Sequence, residues 1–299
     1  METTILYASE YGKGNVLNFS TQALPPLQPG NARIQVKAAG INPIDARRMT
    51  GEFKHASMPQ TFGTEFAGTI IDLNPNEQNW AINDEVLGSG GSFTHATIID
   101  VPITNLIKKP ENMDWSVAGT LAGVSQTAMT IFDEIGPVKS LLIHGASGGV
   151  GSITIQLAKE RGIEVVATAS EKNQEYIRSL GAIPVVYGSG LIERIKNVFP
   201  NQFDASIDMS GTEEATQTSL ELVKPDGIIA TIAGKQVFSN RVISIWVKRN
   251  VNNLKHVVNG IAEGKFKWTV DKTFPFSEAS QAYDYILEGH TKGKIALLF

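Results

Sequence analysis

Apolar positions along the chain change their rhythm near residue 140. Before it, short apolar runs at 33–38, 66–72 and 94–101 are punctuated by Gly, Pro and Asn, which predicts a β-rich segment. Beyond it, strands alternate with helical stretches. Leu141-Leu142-Ile143-His144 has the pattern of a short buried strand and runs into a glycine loop. The stretch 150–161 then carries Val150, Ile153 and Leu157 at helical spacing and stops at Gly162. Further strands are expected at 164–168, 184–187, 204–208 and 228–232, with helices at 174–180, 191–198 and 213–223. Such β-α-β alternation implies right-handed crossovers and a parallel sheet. From about residue 252 two more helical stretches and a terminal strand at 294–299 follow. No internal repeat or low-complexity tract interrupts the pattern.

The loop at the change of rhythm reads His144-Gly145-Ala146-Ser147-Gly148-Gly149-Val150-Gly151 and lies between a predicted strand and a predicted helix. Glycines there let a pyrophosphate approach the backbone, and a helix N-terminus offers free N–H groups and a positive dipole end. Gly148 and Gly151 take the second and third glycine positions of the dinucleotide fingerprint, with Ala146 at the first. Ala146, Ser147, Gly148, Gly149, Val150 and Gly151 are therefore candidate cofactor-binding residues. An NAD site places an acid at the end of the second strand to hold the ribose 2′-hydroxyl. Here that strand ends Val165-Val166-Ala167-Thr168-Ala169-Ser170, and Lys172 follows. A small polar end beside a cation suits the 2′-phosphate of NADPH, which a carboxylate would repel. Glu171 would oppose this reading if its side chain turned inward.

Composition narrows the classes. At 299 residues the chain suits two domains, and 42% hydrophobic with 19% charged residues is ordinary for a globular protein. The formal net charge of -4 advertises no basic face, so nucleic acid is not expected as a partner. The chain has no cysteine, which excludes disulfides and removes the soft ligands that zinc favours. The five histidines, His55, His95, His144, His256 and His290, are scattered without metal-ligand spacing. Met1-Glu2-Thr3-Thr4 opens without a secretion signal, and no apolar run approaches the roughly 20 residues that cross a bilayer. A soluble, cytoplasmic protein with no membrane partner is expected.

A series of segments then resembles one family, the zinc-free quinone oxidoreductase (zeta-crystallin-like) branch of the medium-chain dehydrogenase/reductase superfamily. The series runs Ala38-Ala39-Gly40-Ile41-Asn42-Pro43-Ile44-Asp45, Phe62-Gly63-Thr64-Glu65-Phe66-Ala67-Gly68, Asn83-Asp84-Glu85-Val86, Gly91-Ser92-Phe93-Thr94 and Leu121-Ala122-Gly123-Val124-Ser125-Gln126-Thr127-Ala128. After the glycine loop it continues with Ser179-Leu180-Gly181-Ala182, Asp208-Met209-Ser210-Gly211 and Lys292-Gly293-Lys294-Ile295. The resemblance implies an α/β fold in which a Rossmann parallel-sheet domain is inserted into a β-rich GroES-like catalytic domain, with the active site in the cleft between them. The expected division is 1–115 with 253–299 for the catalytic domain and 116–252 for the Rossmann domain. The resemblance also implies that Thr127 and the Ala233-Gly234 turn lie near a nicotinamide, that Tyr187 helps hold a 2′-phosphate beside Ser170 and Lys172, and that Lys294 belongs with the cofactor-binding residues. NADPH is the expected cofactor. A homodimer is expected as an option, although the stretch between Gly234 and Asn252 is shorter than the family usually shows.

The zinc-dependent members place metal ligands at positions matched here by Asn42, Thr64 and Gly123, so no zinc is expected. Without a metal to hold an alkoxide, hydride addition to a conjugated acceptor is the easier chemistry, because the charge spreads. Asn42 is the expected amide donor in the pocket, and Thr64 the residue lining it where a metal ligand would stand. Asp45 either orients pocket groups or caps a helix starting at Ala46. Tyrosines common in bacterial quinone reductases of this branch are replaced by Arg47 and Phe53. Arg47 either attracts an anion or is a solvated side chain. Three functions stay open: an NADPH-dependent reductase of a quinone or similar conjugated carbonyl, a reductase of alkenals, enones or other 2-enoyl electrophiles, and a non-enzymatic NADPH-binding redox sensor.

Overall fold

The computed structural model describes residues 1–54, 56–74, 79–289 and 291–299, so His55 and His290 lie outside the described residues. The chain forms two compact units. One comprises Met1–Gly123, Val251–Lys265 and Thr269–Phe299, the other Val124–Asn250 and Phe266–Trp268. The changeovers stand at 123/124 and 250/251, beside the expected 115/116 and 252/253. Two contacts bear on the first changeover and on residues 266–268. The Gly123 N–H donates to Glu65 Oε2 at 2.6 Å, tying the start of helix Ala122–Ile135 to the first unit. The Gln156 amide grips Lys267 by both its N–H (2.6 Å) and its carbonyl (2.9 Å), which draws residues 266–268 into the second.

The second unit is a six-stranded parallel sheet in the order Ile183–Val186, Glu164–Ala169, Ser140–His144, Phe203–Asp208, Val223–Thr231, Val242–Ser244. This order reverses direction at Ser140–His144, which is where doubly wound sheets bind nucleotides. Helices Gln174–Leu180 and Leu191–Val198 coincide with the sequence expectation, and Gly149–Glu160 and Glu213–Leu222 fall within a residue of it. Strand Val223–Thr231 begins earlier than expected because Val223 already pairs with Phe203.

In the first unit, strand Asn31–Ile41 is the spine of a seven-stranded sheet. Lys294–Leu298 runs antiparallel along one side with Ile295 opposite Ile41, and Glu65–Leu73 runs antiparallel on the other with Ala67 opposite Ala38. The end of that spine therefore receives Lys294 from one neighbour and Glu65 from the other. Expected strand 94–101 starts only at Ile98. Thr94 and His95 instead donate their N–H groups to Gly63 and Phe62, which turns the chain away from the sheet. Helix Pro43–Thr50 starts three residues before the Ala46 anticipated. No helix among the described residues is long and apolar enough to cross a membrane.

Candidate active site

At the end of Asn31–Ile41 a buried polar cluster gathers around Glu65, which has no exposed surface. The Lys294 ammonium, on a residue 4% exposed, lies 2.7 Å from Glu65 Oε1, 2.7 Å from Asn42 Oδ1 and 2.7 Å from the Ile41 carbonyl. An ammonium has three N–H bonds and no acceptor, so all three are spent and the near Asn42 atom must be the oxygen. Asn42 Nδ2 then donates to Glu65 Oε1 at 2.9 Å and to Thr64 Oγ1 at 3.2 Å. Glu65 Oε2 accepts from Gly123 N–H. Asn42, Thr64 and Gly123 are thus brought together around Glu65.

Asp45 takes part in both roles considered for it, with the helix it helps to cap starting at Pro43. It sits in the first turn of helix Pro43–Thr50, fully buried, and accepts from the backbone N–H of Asn42 (3.0 Å) and of Gly63 (3.1 Å). It is the N3 carboxylate of the capping box on helix Pro43–Thr50, three residues earlier than the start at Ala46, and through Gly63 it fastens the loop before Thr64 to Asn42. Arg47 is neither solvated nor open to an anion: it is 8% exposed, and its Nε lies 3.0 Å from Glu52. Behind the cluster, buried His95 joins Tyr283 Oη (2.9 Å) to the Gly40 carbonyl (3.1 Å), which fixes its tautomer, with the Tyr283 hydroxyl donating to Nδ1. Burial lowers the His95 pKa, opposed by the charge of Asp45 and the Gly40 bond. Burial also raises the Tyr283 pKa, so both side chains are held neutral.

The second unit presents the glycine loop. Strand Ser140–His144 ends at Gly145, whose φ of +72° turns the chain, and the Ala146 N–H donates to the Thr168 carbonyl at 2.9 Å. Helix Gly149–Glu160 has Gly148 at its N-cap and no side chain capping it. A Cβ at Gly148 would meet nothing nearer than 4.0 Å, whereas one at Gly151 would lie 2.4 Å from the Ala146 carbonyl oxygen. One glycine keeps open space before the uncapped helix end, and the other permits close contact with the strand. These are the two requirements of a pyrophosphate cradle, and the loop fits a dinucleotide.

At the end of Glu164–Ala169, Ser170 carries a buried hydroxyl without a hydrogen-bond partner, while Lys172 and Glu171 are exposed. Parallel pairing sets Ala169 beside Val186, so Tyr187, 44% exposed, follows in register with Ser170. Thr127 is half-buried on helix Ala122–Ile135, and Ala233 and Gly234 form a turn after Thr231, with the Ala233 N–H donating to Thr231 Oγ1 at 3.1 Å and Gly234 at φ +59°. Lys294, expected among the cofactor groups, spends its ammonium inside the first unit's cluster.

Several supporting residues escaped the sequence reading. Asn173, 4% exposed, donates to Ser147 Oγ at 3.1 Å and so ties the glycine loop to the second strand's end. Asp208 accepts from the Ser210 and Gly211 N–H groups and from the Ser210 hydroxyl (2.6 Å), closing the turn beside Gly145. His144, paired in register with Asp208, is pushed down to about 4 by burial, against the charge of Asp208. The pairing of Glu65 with Lys294 was also invisible, although each residue belongs to a segment that resembles the family.

A zinc ion does not fit the first unit's cluster. Asn42, Thr64 and Gly123 offer an amide, a hydroxyl and no side chain, and the one carboxylate is taken by the Lys294 ammonium and the Gly123 N–H. Among the described residues no group of three or more His, Cys, Asp or Glu side chains could hold a metal.

Comparison with known proteins gives consistent relatives. The alcohol dehydrogenase GroES-like domain family matches residues 28–132, and the zinc-binding dehydrogenase family matches 149–265. A chloroplastic NADPH-dependent alkenal/one oxidoreductase of Arabidopsis thaliana is 30% identical over 97% of this chain and 78% of its own. A chloroplastic quinone-oxidoreductase of Triphysaria versicolor is 26% identical over 92% of this chain and 91% of its own. Among solved structures, the quinone oxidoreductase from Coxiella burnetii superposes with a TM-score of 0.89 at 25% identity, covering 100% of both chains.

Proposed function

Since the chain belongs to the quinone oxidoreductase branch of the medium-chain dehydrogenase/reductase superfamily and is an oxidoreductase using a nicotinamide cofactor, we propose that it reduces a conjugated carbonyl, a quinone or an alkenal or enone, with NADPH and without a metal. The observation that carries the choice of NADPH is the acid-free end of the second strand. There Ser170 holds an unspent buried hydroxyl, Tyr187 lies in register beside it, and Lys172 is exposed. A 2′-phosphate would find donors and a cation at that place, and Glu171, being exposed, need not oppose it. The first-turn N–H groups after Gly148 would receive the pyrophosphate.

The cofactor, when bound, supplies the hydride. The protein's part is to orient and to stabilise charge. Glu65 is matched by Lys294 and Arg47 by Glu52, so neither is left as an unpaired charge for an ionic substrate, which suits a neutral electrophile. A conjugated acceptor disperses the charge that a metal would otherwise hold, so hydrogen bonding suffices. The Arg47 and Phe53 replacements are the feature that favours alkenals or enones within this class.

Nucleotide preference is read by titrating the protein with NADPH and with NADH and following nicotinamide fluorescence. NADPH should bind at least tenfold more tightly, and Lys172→Ala should remove most of that margin by weakening NADPH alone. Equal loss for both nucleotides would refute the phosphate assignment.

A further inference from the structure

The hydrogen-bond count in the Glu65 cluster leaves one donor unspent, and we infer that this donor, the Thr64 hydroxyl, is the group that hydrogen-bonds the oxygen of the electrophile. The inference rests on the reductase reading above. Asn42, the obvious amide, has no proton to offer: one N–H goes to Glu65 Oε1 and the other to Thr64 Oγ1. Lys294 has none either, its three being committed to Ile41, Asn42 and Glu65. Thr64 is the exception. Its oxygen accepts from Asn42, so its own hydrogen must point away from Asn42, and no acceptor for it exists among the described residues. The residue itself is half-buried.

The arrangement is directional. Lys294 can only donate, which fixes the Asn42 oxygen toward it and the Asn42 nitrogen toward Thr64; Thr64 is then forced to accept on that side and donate on the other. A chain of donors that begins at a cation also polarises its last O–H bond. Lys294, Glu65 and Asn42 are positioning residues in this scheme, and Thr64 is the catalytic one. When hydride adds to the conjugated system of the acceptor, the displaced electron pair moves onto the carbonyl oxygen. The Thr64 O–H stabilises that oxyanion without giving up its proton, and a proton from water completes the product.

Steady-state kinetics with saturating NADPH and either trans-2-hexenal or 1,4-benzoquinone test the inference in the wild type, Thr64→Val, Thr64→Ser, Asn42→Ala and the Asn42→Ala/Thr64→Val double variant. Thr64→Val should lower kcat on the order of 100-fold, as loss of one oxyanion donor does, with NADPH binding unchanged, and Thr64→Ser should recover most of the rate. The double variant should be no slower than Thr64→Val, because Asn42 acts through Thr64. A kcat for Thr64→Val within threefold of wild type, or additive losses in the double variant, would overturn it. A wild type that reduces neither acceptor would instead defeat the reductase reading. In that case the ionisation of bound 4-nitrophenol, followed by its absorbance with NADP present, decides. A phenol made more acidic by wild type but not by Thr64→Val upholds the donor, and equal ionisation in the two refutes it.

Discussion

Lys294 and Glu65 place opposite charges 2.7 Å apart with side chains 5% and 0% exposed. Removing both from water is costly, and the attraction offsets that cost only because every proton and both carboxylate oxygens find partners. Lys294→Met keeps the stem and strands Glu65 as a lone buried anion. It should lower the unfolding free energy by about 3–5 kcal/mol, read from urea denaturation. Adding Glu65→Gln to that variant should restore part of the loss, whereas a further drop would show that the pair is not the stabilising unit. At this scale the residue identities were legible and their partners were not. Glu65 and Lys294 stand far apart in the chain and meet only because both strands flank Asn31–Ile41. Asn42, expected as the pocket's donor, turned out to have its donors spent, which no spacing rule could reveal.

At the scale of elements, the strand–glycine turn–helix unit separates two glycine roles that look alike in the sequence. Gly151→Ala drives a methyl to 2.4 Å from the Ala146 carbonyl oxygen, so the helix must shift from the strand. A loss of about 1–3 kcal/mol in stability is expected, together with at least tenfold weaker NADPH binding. Gly148→Ala meets open space, so its stability should change by no more than about 0.5 kcal/mol while NADPH still weakens. Thermal denaturation beside the fluorescence titration distinguishes them, and matched stability losses would refute the division. Elements with clean periodicity were legible: Gln174–Leu180 has apolar Ile177 and Leu180 inward and stops at Gly181, in the left-handed region. Helix Pro43–Thr50 was anticipated only from Ala46, because its inward positions include Asp45, Arg47 and Arg48, which break the apolar pattern. The edge strand Val242–Ser244 was missed for the opposite reason, being three residues long and largely exposed.

Over the whole molecule, each unit buries a histidine in its neutral form: His95 in the first, lowered from 6.5 by burial, and His144 in the second, lowered to about 4. The unfolded chain takes up protons at these residues once pH falls below about 6.5, while the folded chain resists until lower pH. The folded state therefore binds fewer protons, and stability should be complete above that pH and decline progressively toward about 4. Urea midpoints at pH 7.5, 6 and 5 check this, and His144→Gln should flatten part of the slope. A midpoint that rises on acidification would contradict it. The alternation of strands and helices made the parallel sheet legible at this scale, because strands buried on both faces read as continuous apolar runs, while the divided chain was expected from the family resemblance alone. The changeover residues were less legible, since side-chain grips such as Gln156 on Lys267 set them.

The proposed reaction passes hydride from NADPH to a conjugated carbonyl without a metal. Its most direct test is the fall in absorbance at the nicotinamide band when the purified, chelator-treated protein is given NADPH with trans-2-hexenal, and separately with 1,4-benzoquinone. At least one acceptor should turn over, undiminished by the chelator and at least tenfold slower with NADH. Turnover abolished by the chelator and restored by zinc, or none with either acceptor, would contradict it.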